Sequence, residues 1–197
     1  MTPERLEKFK RVLGKRQPDI TVVLENVFDP HNVFAVLRTC DAVGIQDVFV
    51  LNTIVQWKEK LGYKSSSSAK KWITIHEFDN TAACVVALRK RDARILTTHL
   101  SAQSVSLHAL DLTGKIALVF GNEHSGVTDE LNSHADGNFT IPQVGMISSL
   151  NISVACAVTL YEAFRQKTLA GHYEQQQLVE PVYTDLLNQW CTKNEEL

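Results

Sequence analysis

Three groups of polar residues carry whatever chemistry this chain performs. Asn32 and Arg38 follow a short apolar run, pairing a carboxamide with a permanently charged guanidinium. Gly121-Asn122-Glu123-His124-Ser125-Gly126 follows the apolar run Leu118-Val119-Phe120. Ile141-Pro142-Gln143-Val144-Gly145-Met146 continues through Ser149, Leu150 and Asn151 into a long helical pattern. Amides, hydroxyls and a carboxylate so placed can orient a ligand or hold a proton. Each also has a structural reading. Asn32 could cap a helix, Glu123 could pair with a nearby cation, and Ser149 could be an N-cap with Asn151 in the first turn. The glycines of the second group imitate a phosphate-binding loop, but Val127 and Thr128 stand where its lysine belongs. The segment Glu25 to His31 contains no glycine, which removes dinucleotide binding and the common Rossmann-type methyltransferase. A G-x-S-x-G nucleophile elbow is also missing.

The elements that must position these groups follow from periodicity. Leu6, Phe9, Val12 and Leu13 mark one face of an N-terminal helix closed by Gly14 and Pro18. Ile20–Leu24 reads as a buried strand. Asn32 to Val43 reads as a helix, with Gly44 at the left-handed C-cap position. Strands are expected at Asp47–Leu51, Trp72–Ile75, Ala93–Thr98, Lys115–Phe120 and Phe139–Ile141. A helix is expected over Thr81–Arg91, and a long one over about Leu150–Lys167 that buries Val154, Ala157, Val158 and Tyr161. A weaker helix is expected over Tyr183–Trp190. The polar stretch Asn52–Lys71, with Ser65 to Ser68 in a row, reads as a mobile loop. Alternating strands and helices define an α/β fold with a mainly parallel, doubly covered sheet. No composition break marks a second domain. The three polar groups then fall at strand C-termini, where open α/β sheets bind ligands.

Composition narrows the field further. The chain has 197 residues, 44% of them hydrophobic and 21% charged, which suits one globular domain. No apolar run approaches the roughly 20 residues that cross a bilayer, and the charged N-terminus lacks the core of a signal peptide, so a cytoplasmic protein without a membrane role is expected. Cys40, Cys84, Cys156 and Cys191 are widely spaced, and the histidines form no ligand pair, so no metal is expected. The net charge of −2 excludes indiscriminate nucleic-acid coating. Local basic groups remain at Lys8, Lys10, Arg11, Lys15 and Arg16, at Lys58, Lys60, Lys64, Lys70 and Lys71, and at Arg89, Lys90, Arg91 and Arg94, and phosphate contacts need only such clusters.

Together the three groups resemble the ordered motifs of the SpoU (TrmH) branch of the SPOUT methyltransferases. Asn32-Val-Phe-Ala-Val-Leu-Arg38-Thr-Cys-Asp-Ala-Val-Gly44 resembles the first, Leu118 to Gly126 the second, and Ile141 to Met146 with Ser149-Leu-Asn-Ile-Ser-Val-Ala155 the third. The resemblance runs from about Pro18 to Lys167. Within the branch the tRNA guanosine 2′-O-methyltransferases are most similar, through Arg16-Gln17-Pro18-Asp19 and the loop Ser67-Ser68-Ala69-Lys70-Lys71-Trp72.

This resemblance implies a SPOUT-type α/β knot over residues 1–197. It would comprise an N-terminal helix in 1–17, a deep trefoil knot over about 96–167 that holds the cofactor, and a C-terminal helical tail in 168–197. It implies S-adenosyl-L-methionine as cofactor, with Leu100, Gly121, Ile141, Met146, Ser149 and Leu150 lining its pocket. It implies a homodimer whose Asn32 and Arg38 approach the partner's pocket, with the long helix offering an apolar face to the interface. Arg38, Asn32, Glu123, Ser149 and Asn151 form the implied catalytic set, in which Asn32 and Glu123 orient Arg38. Arg11 and Arg165 are the implied phosphate ligands. The implied reaction is methylation of the ribose 2′-hydroxyl of a D-loop guanosine in tRNA, without metal. Ribosomal RNA is the alternative substrate, and a knotted RNA-binding protein without catalysis is the alternative class; the complete catalytic set speaks against the latter.

Overall fold

The computed structural model describes residues 1–54 and 68–195. Among them, seven strands form one all-parallel sheet: β1 Ile20–Glu25, β2 Asp47–Leu51, β3 Thr74–Phe78, β4 Arg94–Thr98, β5 Val105–Ser106, β6 Ile116–Phe120 and β7 Gly137–Thr140. Their order is β3-β2-β1-β6-β4-β7-β5. Parallel sheets are covered on both faces, which explains why β1 is buried along its length and β6 reads as an uninterrupted apolar run. Successive side chains alternate between two cores. Val22, Leu24, Leu118 and Phe120 point into one core. Helices α2 (Pro30–Ala42) and α5 (Ile152–Leu169) close it. Val23, Phe49, Ala117 and Val119 point into the other, closed by α3 (Thr81–Arg89) and α4 (Asp129–Asn132). A third cluster joins α1 (Pro3–Leu13) to α6 (Val182–Glu195) through Phe9, Leu13, Leu186 and Trp190.

Several expectations shift. The N-cap of α2 is Asp29, whose carboxylate accepts the His31 N–H at 2.8 Å, and Pro30 opens the helix. Asn32 is therefore inside the first turn, its side chain released for other work. Gly44 does take the left-handed conformation, φ +82°, and a Cβ there would lie 2.6 Å from the Lys15 carbonyl oxygen. The strand expected at Trp72–Ile75 begins two residues later, because Trp72 turns into the third cluster. The two-residue edge strand β5 has too little pattern to be read from sequence.

The long helix buries a different stripe from the one expected. Ile152, Cys156, Thr159, Leu160, Ala163 and Lys167 face the protein. Val154, Val158 and Tyr161 are exposed at 47%, 38% and 55%, and Ala157 is half-buried. Apolar residues lie almost all round this helix, so periodicity alone does not choose the packed side. Of the stretch expected as a mobile loop, residues 55–67 with Lys58, Lys60 and Lys64 lie outside the described residues, whereas Ser68–Lys71 form a short 3-10 helix that buries Ala69. No helix among the described residues is long and apolar enough to cross a membrane.

Candidate active site

The parallel sheet changes direction of winding at β1, whose neighbours are β2 and β6. Connections leaving the C-terminal ends of β1 and β6 meet there, the expected ligand crevice of such a sheet. The loop after β6 is a tight hairpin in which Asn122 and Gly126 exchange backbone hydrogen bonds at 2.9 Å each. The Asn122 side chain knits it: its Oδ1 accepts from His124 N–H at 2.8 Å and its Nδ2 donates to the Asn26 carbonyl at 2.7 Å. Glycine is required at Gly121, where a Cβ would lie 2.2 Å from the Gly126 carbonyl carbon.

Asn32 then ties the three sequence motifs into one network. Its Nδ2 donates to Glu123 Oε1 at 2.9 Å, and its Oδ1 accepts from Asn151 Nδ2 at 3.1 Å. Glu123 Oε2 accepts the Phe28 N–H at 3.3 Å. Asn151, rather than Ser149, caps α5, with Oδ1 accepting from the Ser153 N–H at 2.8 Å. One amide thus holds the first turn of α2, the β6 loop and the start of α5 in fixed relation.

Arg38 is not part of this network. It is exposed and makes no hydrogen bond or ion pair among the described residues, so Asn32 and Glu123 do not orient it within the chain. The geometry of a helix explains this. Six residues along α2 carry Arg38 about 9 Å down the axis and roughly 120° around it from Asn32. Arg165 is exposed and paired twice with Glu162, at 3.0 Å through Nε and 2.8 Å through Nη2. Those hydrogen bonds, from Arg165 and then Gln166, pull the Glu162 carboxyl down to about 2. Arg11 is exposed on α1.

A cavity of about 740 Å³ opens beside the network. Leu100, Gly121, Ile141, Met146, Ser149 and Leu150 all line it, together with His99, Asn122, Glu123 and His124. Its walls therefore come from the loops after β4, β6 and β7. Leu100 and Met146 present apolar side chains that are 80% and 104% exposed. Among the described residues no group of His, Cys, Asp or Glu has the arrangement to hold a metal ion.

Sequence reasoning passed over Glu25, the last residue of β1. Its carboxylate is buried and accepts from Thr128 twice, at 2.9 Å from N–H and 2.5 Å from the hydroxyl. Burial raises its pKa, against the lowering effect of both Thr128 bonds. Thr128 caps α4, so Glu25 anchors the far side of the β6 loop. A charged residue ending an otherwise apolar strand was the available signal. The third basic run is largely used within the fold: Arg89 pairs with Asp136 at 2.6 Å, Arg91 with Asp47 at 3.0 Å, and Arg94 donates to the Asp111 carbonyl. Arg16 is buried and paired with Asp41 at 2.7 Å.

An all-parallel α/β sheet with a cavity built from the loops at the C-terminal ends of its strands is a ligand-binding architecture. The chain belongs to the SpoU methylase family of RNA methyltransferases: the model described as "SpoU rRNA Methylase family" matches residues 19–161. It is 37% identical over 195 residues to the tRNA (guanosine(18)-2′-O)-methyltransferase of Thermus thermophilus, covering 98% of both chains. The crystal structure of the Aquifex aeolicus TrmH/SpoU tRNA modifying enzyme matches with a TM-score of 0.88 at 36% identity, covering 97% of this chain and 96% of that one. The AdoMet-bound rRNA methyltransferase from Sinorhizobium meliloti matches with a TM-score of 0.67 at 28% identity, over 79% of this chain and 59% of that one. The SPOUT fold and the family are therefore as the motifs implied.

Proposed function

We propose that the protein transfers the methyl group of S-adenosylmethionine to the ribose 2′-hydroxyl of guanosine-18 in tRNA, acting in the cytoplasm as a homodimer. The observation that carries this reading is the convergence of all three motifs on Asn32, beside a cavity of the right size. About 740 Å³ falls within the roughly 300–1,000 Å³ of small-ligand sites. The cavity also fits the donor chemically. Apolar walls at Leu100, Ile141, Met146 and Leu150 suit an adenine, and the Gly121 position, which admits no Cβ, lets the loop close on Gly126 and Val127 and so shapes the cavity wall. Residues 96–167 would be threaded as the trefoil knot that the family motifs imply.

When bound, the donor supplies an electrophilic methyl group whose departure leaves a neutral thioether. The protein's own residues must hold the ribose in line and assist loss of the hydroxyl proton. Asn32, Glu123 and Asn151 fix the loops that frame the approach, and Ser149 sits on the cavity wall as a hydroxyl partner for the ribose. Arg38 is a poor proton acceptor by itself, because a guanidinium stays charged. It acts together with a substrate phosphate, which takes the hydroxyl proton while the guanidinium stabilises the negative charge developing on the 2′-oxygen as that oxygen bonds to the methyl carbon and the methyl–sulfur bond breaks. Its exposed, unpaired position on α2 suits action in the partner's cavity. The exposed stripe Val154, Val158 and Tyr161 on the neighbouring α5 supports a two-fold interface there. Arg11 and Arg165 contact RNA phosphates, Arg165 after exchanging Glu162 for phosphate.

The test is to incubate the protein with labelled S-adenosylmethionine and unmodified tRNA transcripts, then identify the product nucleoside by mass spectrometry. 2′-O-methylguanosine at position 18 is expected. Transfer to ribosomal RNA instead would keep the reaction and replace the substrate, a reading favoured by the family description and the Sinorhizobium meliloti relative. No transfer to either would overturn the enzyme assignment. Sedimentation should give a dimer.

A further inference from the structure

A second cavity, of about 530 Å³, lies between α1, the last turn of α2, Trp72 and α6. It is separate from the donor cavity, and the two share no lining residue. Its aromatic side is Phe9, Trp72 and Trp190, with Trp72 and Trp190 packed at 5.2 Å and 69° and Phe9 and Trp190 at 5.7 Å and 81°. Packing between α1 and α6 accounts for Phe9 and Trp190, which are buried. That packing also engages Trp72, 5.4 Å from Phe9, but does not account for its half-buried face, which lines this cavity. Nor does it account for the cations. Arg5 and Lys8 line the cavity beside the carboxylate of Glu4, with the Arg5 guanidinium 5.7 Å from the Phe9 ring centre.

Asp41 brings charge to the cavity wall, and Arg16, which is not itself part of the lining, holds it from behind. Arg16 is fully buried, lies 5.1 Å over the Trp190 ring and pairs with Asp41 Oδ1. Its Nε has no hydrogen-bond partner. Asp41 lines the cavity, and its second carboxylate oxygen has no partner among the described residues. A half-exposed indole, a free carboxylate acceptor at the back and cations at the rim match a planar heterocycle that carries N–H donors and a phosphate. Indole and guanidinium faces stack on any nucleobase, carboxylates accept from base amino groups, and cations track the backbone. Lys8 and Arg11 continue from Arg5 at three-residue spacing, so the rim extends as a basic ridge along α1.

We propose that this cavity is a second RNA site, taking one unstacked nucleobase of the substrate RNA against Trp72 while Arg5, Lys8 and Arg11 hold the adjoining phosphates. The proposal rests on the RNA methyltransferase reading above and adds a base contact remote from the methylated ribose. The site selects RNA with an unpaired nucleotide at the matching distance, since a stacked and paired base cannot enter a cavity.

The experiment measures equilibrium binding of a fluorescent unmodified tRNA transcript to wild-type protein, Trp72→Phe, Trp72→Leu and Lys8→Ala/Arg11→Ala across a salt series. Donor affinity is measured in parallel by calorimetry. Trp72→Leu should weaken tRNA binding about ten-fold with an unchanged salt slope, and Trp72→Phe should recover most of it. Lys8→Ala/Arg11→Ala should lower the salt slope by about two. Donor affinity should be unchanged in all four proteins. Trp72→Leu could also loosen the α1–α6 packing, so ultraviolet cross-linking of wild-type protein to the same transcript is the independent readout. A nucleotide adduct on Trp72 is expected. Wild-type tRNA binding with adducts elsewhere and none on Trp72, or full tRNA affinity in Trp72→Leu, overturns this proposal alone. A wild-type protein that binds no tRNA overturns the tRNA reading and this proposal with it.

Discussion

Asn32 is the residue whose alteration tests the site most sharply. Asn32→Asp keeps the shape and the acceptor for Asn151, but replaces the donor facing Glu123 Oε1 at 2.9 Å with a second carboxylate. Two unit charges about 4 Å apart repel by roughly 4 kcal/mol at an effective dielectric of about 20. Both residues are half-exposed, so solvent screening reduces this to ~2 kcal/mol. At about 2–4 °C per kcal/mol for a chain of this size, the melting temperature should fall by ~4–8 °C at neutral pH. The paired carboxylates will titrate above their ordinary range, so the deficit should shrink as pH falls and one proton is shared. The decisive variant is Asn32→Asp with Glu123→Gln. Its new glutamine amide would donate to the new aspartate and accept the Phe28 N–H, while that aspartate accepts from Asn151. Every bond is then rebuilt with the charge moved across. Thermal melts and calorimetric donor binding should return to within about 0.5 kcal/mol of wild type. A double variant no more stable than Asn32→Asp would show that the network is not what holds the three loops together.

The remaining perturbations separate chemistry, cavity, pH response and RNA contact. Arg38→Ala should abolish methyl transfer while donor affinity by calorimetry stays within about two-fold, because the residue does not line its own chain's cavity and is proposed to face the ribose rather than the donor; retained turnover would remove Arg38 from the reaction. Gly121→Ala forces a Cβ to 2.2 Å from Gly126 backbone and should weaken donor binding more than ten-fold, by roughly 1.4 kcal/mol or more; unchanged binding would refute the close-approach argument. Burial raises the Glu25 carboxyl above 4.5, so the folded protein holds that proton more tightly than the unfolded chain. This group's stabilising effect is therefore largest below pH 4.5 and is lost as pH rises through the raised value. Glu25→Gln should flatten that slope in denaturant titrations between about pH 4 and 8, and an unchanged slope would assign it to other groups. Arg165→Ala should weaken tRNA binding and reduce its salt slope by about one, whereas an unchanged slope would leave Arg165 to its pairing with Glu162.

Much of the sheet was legible because parallel strands buried on both faces read as continuous apolar runs, and Ile20–Leu24 and Asp47–Leu51 are such runs. The edges were harder. Trp72 looks like the start of a strand because its aromatic bulk suits one, yet it is drawn away by Phe9 and Trp190 from the two ends of the chain. That contact depends on residues far apart along the chain, beyond the reach of any local pattern. The packed face of α5 is ambiguous for a related reason. Val154, Val158 and Tyr161 form as good an apolar stripe as Cys156, Leu160 and Ala163, and only the position of α2 decides between them. The site residues were recoverable from motif order, but their partnerships were not. Asn32 satisfies Glu123 and Asn151 instead of Arg38, and Glu25 finds Thr128, because those pairings follow from loop geometry after the sheet has formed.

Helix α2 connects these observations mechanically. In a parallel sheet the crossover helix runs back against the strands, so Asn32 in its first turn stands at the ligand end and Asp41 in its last turn at the opposite end. Nine residues separate them, roughly 14 Å along the axis, with Arg38 between. A rigid helix therefore fixes the distance between the loop network, the exposed guanidinium and the aromatic cavity that Asp41 lines. The burial of Val33, Val36, Leu37 and Cys40 against the sheet and α5 holds that spacing. An RNA engaged at both ends of α2 would thus be measured against a ruler, and its unpaired nucleotides would have to match the ruler's length. With the proposed second site in use, substrate choice would depend on the separation of two sites along one buried helix as well as on any single base contact.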